Sequence, residues 1–194
     1  MTNEIEYHPL PPFLPAGARM LMLGTFPPPR ARWAMEFYYP NLQNDMWRIF
    51  GTAFFADKDH FTLPERKGFS QELLVEFLTD RGIALSDTAA SVIRRKGNAS
   101  DQFLDILEKI DLKAILDTIP DCRAVVTTGQ KATETLLSIT GAAEPALGGF
   151  TEFTYAGRQL RHYRMPSSSR AYPLPLAKKA EAYEKMFREE GLLR

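Results

Sequence analysis

The chain has 194 residues, 44% of them hydrophobic and 25% charged, and its 24 basic side chains are balanced by 24 acidic ones. That is the composition of an ordinary globular protein with a substantial core. It excludes a polybasic molecule that meets nucleic acid with its whole surface. The single cysteine, Cys122, excludes an intramolecular disulfide and a cysteine-built metal site. No apolar run approaches the roughly 20 residues of a membrane span, and the N-terminus has no signal-peptide pattern. A cytoplasmic protein of one domain, residues 1–194, with no membrane partner is expected.

Residues 1–18 carry four prolines and no sustained periodicity, which predicts an extended arm lying on the domain. Met20-Leu21-Met22-Leu23 reads as a strand buried on both faces. It ends at Gly24-Thr25-Phe26, and Pro27 to Pro29 forbid strand or helix from continuing. A long loop follows with Trp33, Phe37, Tyr38 and Tyr39, then Pro40 and the polar set Asn41, Gln43, Asn44 and Asp45. A helix is expected from about Asn44 to the Gly51-Thr52 region. A second runs from about Ser70 to Asp80, with Leu73, Leu74, Phe77 and Leu78 on one face and Gly82 as its stop.

Ile83-Ala84-Leu85 is a second short apolar strand ending in Ser86-Asp87-Thr88. The polar segment 94–101 predicts a loop, and Asp101 predicts the cap of a short helix holding Phe103, Leu104 and Leu107. Leu112 to Ile119 makes one or two helical turns. Ala124-Val125-Val126-Thr127 is a third strand, ending at Gly129 before a helix with Ala132, Leu136 and Leu137. Phe150–Tyr155 and Gln159–Met165 read as strands joined by a turn at Ala156-Gly157. The second ends in Pro166-Ser167-Ser168-Ser169-Arg170, and a last helix spans about Ala177 to Gly191. Strands separated by helices predict a three-layer α/β/α sandwich with a central, mainly parallel four-stranded sheet.

In a parallel sheet the ends at Gly24-Thr25-Phe26-Pro27, Ser86-Asp87-Thr88 and Met165-Pro166-Ser167-Ser168-Ser169-Arg170 open on one edge and share one crevice. Its inventory is aromatic faces (Phe26, Tyr38, Tyr39), amides (Asn41, Asn44), a carboxylate (Asp87) and small hydroxyl residues. Flat aromatics beside amides suit a planar heterocycle, and loop amides and serines suit phosphates. A nucleobase on a phosphate backbone fits, and so does a free nucleotide. Basic clusters stand at Arg30 and Arg32, at Arg94-Arg95-Lys96, and at Arg170 with Lys178 and Lys179. A glycine-rich phosphate cradle, a nucleophile elbow and a histidine pair at metal spacing are all missing. His8 and His60 sit in segments without an active-site signature, and His162 lies inside a predicted strand.

These motifs resemble the uracil-DNA glycosylase superfamily, and most closely its hypoxanthine (deoxyinosine) DNA glycosylase-like branch. The Gly-Ser/Thr-x-Pro motif is Gly24-Thr25-Phe26-Pro27, and the Tyr-Tyr…Asn-x-x-Trp loop is Tyr38-Tyr39…Asn44-Asp45-Met46-Trp47. The middle strand is Gly82-Ile83-Ala84-Leu85-Ser86-Asp87, and the late motif is Pro166-Ser167-Ser168-Ser169. The sequence departs from many members at two places. Phe26 stands where they carry a polar water-handling residue, and Met165 stands where the best-known uracil enzymes carry His.

The resemblance implies a monofunctional DNA N-glycosylase that flips a uracil or hypoxanthine out of DNA and hydrolyses its N-glycosidic bond. It implies a monomer without metal or cofactor, whose partner is DNA containing a damaged or mispaired base. Asn44 and Asp87 are then the catalytic candidates. Phe26, Tyr39, Asn44 and Asp87 would meet the base, and Thr25, Ser167, Ser169 and Arg170 would meet phosphates. Arg170 or Tyr172 would stand near the space the base vacates. Two other classes fit the residues: a non-catalytic nucleic-acid binder on the same scaffold, and an enzyme of free nucleotides or nucleosides. For Asn44 the structural alternative is an N-cap of the helix carrying Trp47. Asp87 could instead hold a sugar or buttress a loop.

Overall fold

The computed structural model describes residues 4–96 and 100–193. In chain order the elements are β1 (Ile5–Tyr7), β2 (Met20–Gly24), α1 (Met46–Phe55), α2 (Gln71–Arg81), β3 (Ile83–Asp87), β4 (Ala89–Arg94), β5 (Leu104–Lys109), α3 (Leu112–Thr118), β6 (Ala124–Thr128), α4 (Gln130–Thr140), β7 (Phe150–Tyr155), β8 (Arg158–Met165) and α5 (Leu176–Glu189). A five-stranded sheet runs β3-β2-β6-β8-β7. Its first four strands are parallel, and β7 returns antiparallel along β8. The sheet is therefore mixed and five-stranded rather than four-stranded. The cause is the two-residue turn at Ala156-Gly157, whose positive φ values of 49° and 76° suit a tight hairpin, and a hairpin can only pair its strands antiparallel.

The apolar strands are buried on both faces because helices cover both. Met20, Met22, Ile83, Leu85, Val126 and Tyr163 face α1, α2 and α5, where Trp47, Phe50, Leu78, Tyr183 and Phe187 fill the layer. Leu21, Leu23, Ala84 and Val125 face the other way, against Leu112 and Leu116 of α3 and Leu136 of α4. Strand alternation thus sends consecutive residues of one short run into two cores. Each fully buried Leu or Met contributes about 1.5–3 kcal/mol. The C-terminal stop of α2 is Gly82, at φ 68°. An added Cβ there would also lie 3.1 Å from the Gly17 carbonyl oxygen.

The arm from residue 4 onward does more than rest on the surface. Phe13 exchanges two backbone hydrogen bonds of 2.9 Å with Leu85 and so caps the free edge of β3. Further out, β1 pairs antiparallel with β4, which pairs with β5 to form a second sheet of order β1-β4-β5. This corrects the expected helix after Asp101. Residues Asp101–Phe103 form a single 3-10 turn and Leu104 enters β5. Leu104 and Ile106 alternate inward onto Ala89, Val92 and Phe26, so the pairing offered by β4 overrides a weak helical period. Of the polar loop expected at 94–101, residues 97–99 lie outside the described residues, as do residues 1–3 of the arm.

Candidate active site

Strand order makes the site. From β2 the chain crosses to β3 on one side of it, and β6 then enters on the other. A crevice opens at such a switch point, beyond the carboxyl ends of the strands. Gly24 sits in register with Asp87, and Thr128 with Met165, so the strand ends do share one edge. A cavity of about 1040 Å³ lies there, and every candidate site residue lines it: Thr25, Phe26, Tyr39, Asn44, Asp87, Ser167, Ser169 and Arg170. It exceeds the usual span of small-ligand pockets, about 300–1,000 Å³, and so has room for a nucleotide with flanking backbone.

Two loops are clipped together on one wall. Asn44 and Ser169 form an antiparallel bridge. The Asp45 amide donates to the Ser168 carbonyl at 2.8 Å, and the Arg170 amide donates to the Gln43 carbonyl at 3.1 Å. Beneath them the Asp45 carboxylate gathers three cations: Arg170 at 2.9 Å, Lys179 at 3.6 Å and Arg48 at 3.7 Å. Lys179, only 1% exposed at its side chain, also donates to the Ser169 carbonyl at 2.7 Å. Lys179, grouped from the sequence in a basic cluster with Arg170 and Lys178, is thus not an open surface cation: its stem is buried and its ammonium holds the serine loop from below. Lys178 instead points outward and pairs with Glu181. Arg94 is also turned inward. It grips Glu6 at 3.0 and 3.1 Å and the Pro27 carbonyl at 3.0 Å, tying the small sheet to the proline loop.

Asn44 has a defined orientation. The Met46 amide, at 2.9 Å, can only donate, so the Asn44 atom facing it is Oδ1 and the carboxamide nitrogen is left as the donor. The capping alternative is thus real in part, although Asp45 occupies the formal cap position of α1. Ser167 accepts from the Ser169 amide and Ser169 from the Ala171 amide, each at 3.2 Å. Both hydroxyls keep their own O–H as a donor, which suits a phosphate oxygen. Tyr39 adopts φ 50°, a left-handed conformation that is uncommon for a bulky residue. Its hydroxyl meets Thr128 Oγ1 at 3.4 Å, and its ring stands edge-on to Trp47 at 5.7 Å. Burial, and then the charge of Asp87, push its pKa well up, so it remains a neutral phenol.

Phe26 touches the cavity but is 8% exposed and packs mainly into the small cluster with Ala89, Val92 and Leu104. Met165 is fully buried in the core. Tyr38 is also core, its hydroxyl donating to the Pro11 carbonyl at 3.0 Å. His162 is fully buried inside β8, where Nε2 meets Thr127 Oγ1 at 2.8 Å.

The structure adds residues that the sequence did not single out. His8 Nε2 lies 2.8 Å from Asp87 Oδ2. Burial works against protonating the ring, but the Asp87 hydrogen bond and charge, with the Leu10 carbonyl, outweigh it and raise its pKa. Asp101 lines the same cavity. Burial is the main cause pushing its carboxyl up to about 6; Asp87 adds to this, while Thr25, Arg94 and Lys131 oppose it. Lys131 also lines the cavity, in the first turn of α4. That helix starts at Gly129, whose φ of 93° and ψ of 166° belong to a glycine-only region. No sequence signal marks His8, which is 79 positions from its partner. Asp101 carried a signal only for a helix cap. Among the described residues no group of three or more acidic, histidine or cysteine side chains is placed to hold a metal, and no helix is long and apolar enough to cross a membrane.

The arrangement is similar to a uracil-DNA glycosylase-like fold. A solved structure that it resembles is the solution NMR structure of a protein from Methanosarcina acetivorans provisionally named a uracil DNA glycosylase. The TM-score is 0.64, over 97% of this chain and 99% of that one, at 23% sequence identity. At this identity the likeness shows the fold alone. No family model and no curated protein matches the chain.

Proposed function

We propose that this chain is a monofunctional DNA glycosylase that hydrolyses the N-glycosidic bond of a deaminated base flipped into the switch-point cavity. The observation that carries the reading is the pair Asn44 and Asp87 on one cavity, one committed as donor and the other offering an acceptor oxygen. Uracil, hypoxanthine and xanthine all present a ring N–H next to a carbonyl, which is the complement of that pair. Cytosine and adenine present an acceptor nitrogen next to an amino group, so both contacts would be repulsive. Asn44 would donate to the carbonyl oxygen where negative charge grows as the base departs, and Asp87 would accept from the ring N–H.

In this reaction a water oxygen bonds to the sugar carbon, and the carbon–nitrogen bond breaks with its electron pair passing to the base. The water's proton passes to a carboxylate and finally to the departed base. Phe26 has no polar atom for that water and Asp87 is engaged with the base edge, so the task falls to Asp101, which lines the same cavity. Tyr39 would stack on the base, while Thr25, Ser167, Ser169 and Arg170 would hold phosphates. Flipping itself costs a few kcal/mol and is cheapest for mispaired bases.

A second reading, a binder without chemistry, is favoured by apolar Phe26 and buried Met165 at two positions where many members of the superfamily carry polar groups. Incubating the protein with duplexes holding a single uracil, hypoxanthine or xanthine, then treating with alkali, decides between them. Strand scission at uracil and at hypoxanthine, and not at their parents cytosine and adenine, is expected. Tight binding without scission for all three would leave the binder, and neither binding nor scission would leave the free-nucleotide enzyme.

A further inference from the structure

The N-terminal arm carries the imidazole that touches the proposed base reader, and nothing in the four superfamily motifs accounts for it. His8 follows β1, whose pairing with β4 sets Ile5 opposite Ile93 and Tyr7 opposite Ser91. The His8 amide then donates to the Ala90 carbonyl at 2.9 Å. These bonds bring the ring over Asp87. Phe26 meets it edge-on at 5.3 Å and Tyr38 lies nearly flat against it at 6.0 Å. The ring therefore has one place to be.

Both carboxylate oxygens of Asp87 are accounted for by this packing. Oδ2 takes the hydrogen bond from His8 Nε2 at 2.8 Å. Oδ1 lies in the space above Gly24, where a Cβ would come within 2.4 Å of it. On the other side of the ring, Nδ1 has both the Leu10 carbonyl at 2.8 Å and the Leu10 amide at 3.2 Å in reach. An imidazolium would donate from Nδ1 to the carbonyl, and a neutral ring would accept there from the amide. In either state Nε2–H remains directed at Asp87. Deprotonation removes charge from the contact without removing the contact.

We propose that His8 is a positioning residue for Asp87, holding one carboxylate oxygen so that the other stays over Gly24 as the acceptor for the flipped base. The role as base acceptor rests on the glycosylase reading above. The coupling of His8 to Asp87 does not. The arm is then part of the base pocket as well as the cover of a sheet edge. The groups facing the pair are limited. Tyr38 gives its proton to the Pro11 carbonyl, and Tyr39 is a neutral phenol raised by burial and by Asp87. Asp101 senses Asp87 across the cavity. Arg94 stands 6.0 Å from the Phe26 ring and is bound to Glu6.

Two measurements test this. The first is an NMR titration of the His8 ring in the wild type and in Asp87→Asn. His8 should titrate above 6.5 in the wild type, and its pKa should fall when the carboxylate is removed. An unchanged pKa overturns the coupling whether or not the protein excises anything. The second is single-turnover excision at saturating enzyme for His8→Ala and His8→Gln. Loss of a hydrogen bond to a charged group predicts a drop of about tenfold or more for His8→Ala, with DNA affinity little changed.

His8→Gln restores an amide donor, so it should recover most of the rate at pH 7. The wild-type rate should fall a few-fold as pH rises through the His8 pKa, and His8→Gln should lose that limb. Should His8→Ala excise at the wild-type rate, or should both variants lose stability alike with no rescue by Gln, His8 would be an anchor for the arm alone. A wild type that excises no altered base, combined with a His8 titration that does respond to Asp87→Asn, would overturn the glycosylase reading and leave the coupling standing.

Discussion

At the scale of single residues, Asn44 serves two tasks with two different atoms. Its Oδ1 accepts from the Met46 amide at the start of α1, and its nitrogen is left for the cavity. Replacing it by Ala removes both, so stability should drop by about 1 kcal/mol and base excision by about 10² or more. Asn44→Asp separates them, because a carboxylate oxygen still accepts from Met46 while the donor is gone. We expect a near-wild-type thermal midpoint with excision as poor as in Asn44→Ala. Excision close to wild type in Asn44→Asp would make Asn44 a capping residue only. Gly24 gives a second test at this scale. A methyl group there would meet Asp87 Oδ1 at 2.4 Å, closer than contact allows. Gly24→Ala should displace Asp87, lower excision and bring the His8 pKa back toward its usual value, read in the same NMR titration.

Among elements, the contact between the Asn41–Asp45 segment and the serine loop is the organising feature of the phosphate wall. One buried carboxylate, Asp45, faces Arg48, Arg170 and Lys179. Removing it leaves the nearly fully buried Lys179 without its counter-ion, and breaking a buried pair from one side typically costs about 3–5 kcal/mol. Asp45→Ala should therefore lower stability by that amount in denaturant unfolding and should loosen the Ser167–Arg170 segment. Lys178→Ala, one position away, removes only an exposed pair with Glu181 and should cost less than about 1 kcal/mol. Equal effects from the two would show that the buried cluster is not what holds the loop.

For the whole molecule, zero formal net charge means that the proposed DNA binding must come from a local basic face. Binding should therefore weaken steeply with added salt, log affinity falling linearly against log salt concentration. Affinity indifferent to salt would remove nucleic acid as the partner. Acid stability has a separate source. His162 is fully buried, and burial, then the charge of Arg164, lower its pKa from 6.5 to about 4. The unfolded chain takes up a proton below about 6.5 while the native chain stays neutral down to about 4, so stability is lost as pH falls across that window. The loss is about 3 kcal/mol from this group. Asp101 runs the other way: its folded pKa is raised from 3.8 to about 6, so its contribution weakens as pH rises from about 4 to 6. Comparing thermal midpoints at pH 7 and pH 4.5 for the wild type and His162→Gln isolates the first effect. The difference between the two pH values should be smaller in the variant.

Some of this was legible in the linear chain because it depends on local chemistry. Short apolar runs, glycine stops and proline breaks placed β2, β3, β6 and β8, along with their C-terminal ends, before any contact was known. Parallel strands point their ends to one edge, so Gly24, Asp87 and Ser167 could be assigned to one crevice from order alone. Tyr39, Asn44 and the serines came with that assignment. What tertiary structure decided is everything that depends on distant partners. The pairing β1-β4-β5 turned an expected helix after Asp101 into a strand and carried Asp101 to the cavity. It also drew His8 across 79 positions onto Asp87. Lys179 reads as a surface cation along a helix and is instead a buried one, because the carboxylate that accepts it belongs to another loop. Local propensity is written in neighbouring residues, whereas a hydrogen bond between remote side chains exists only after the chain has closed. That is why the crevice could be foreseen and the group that holds its acid could not.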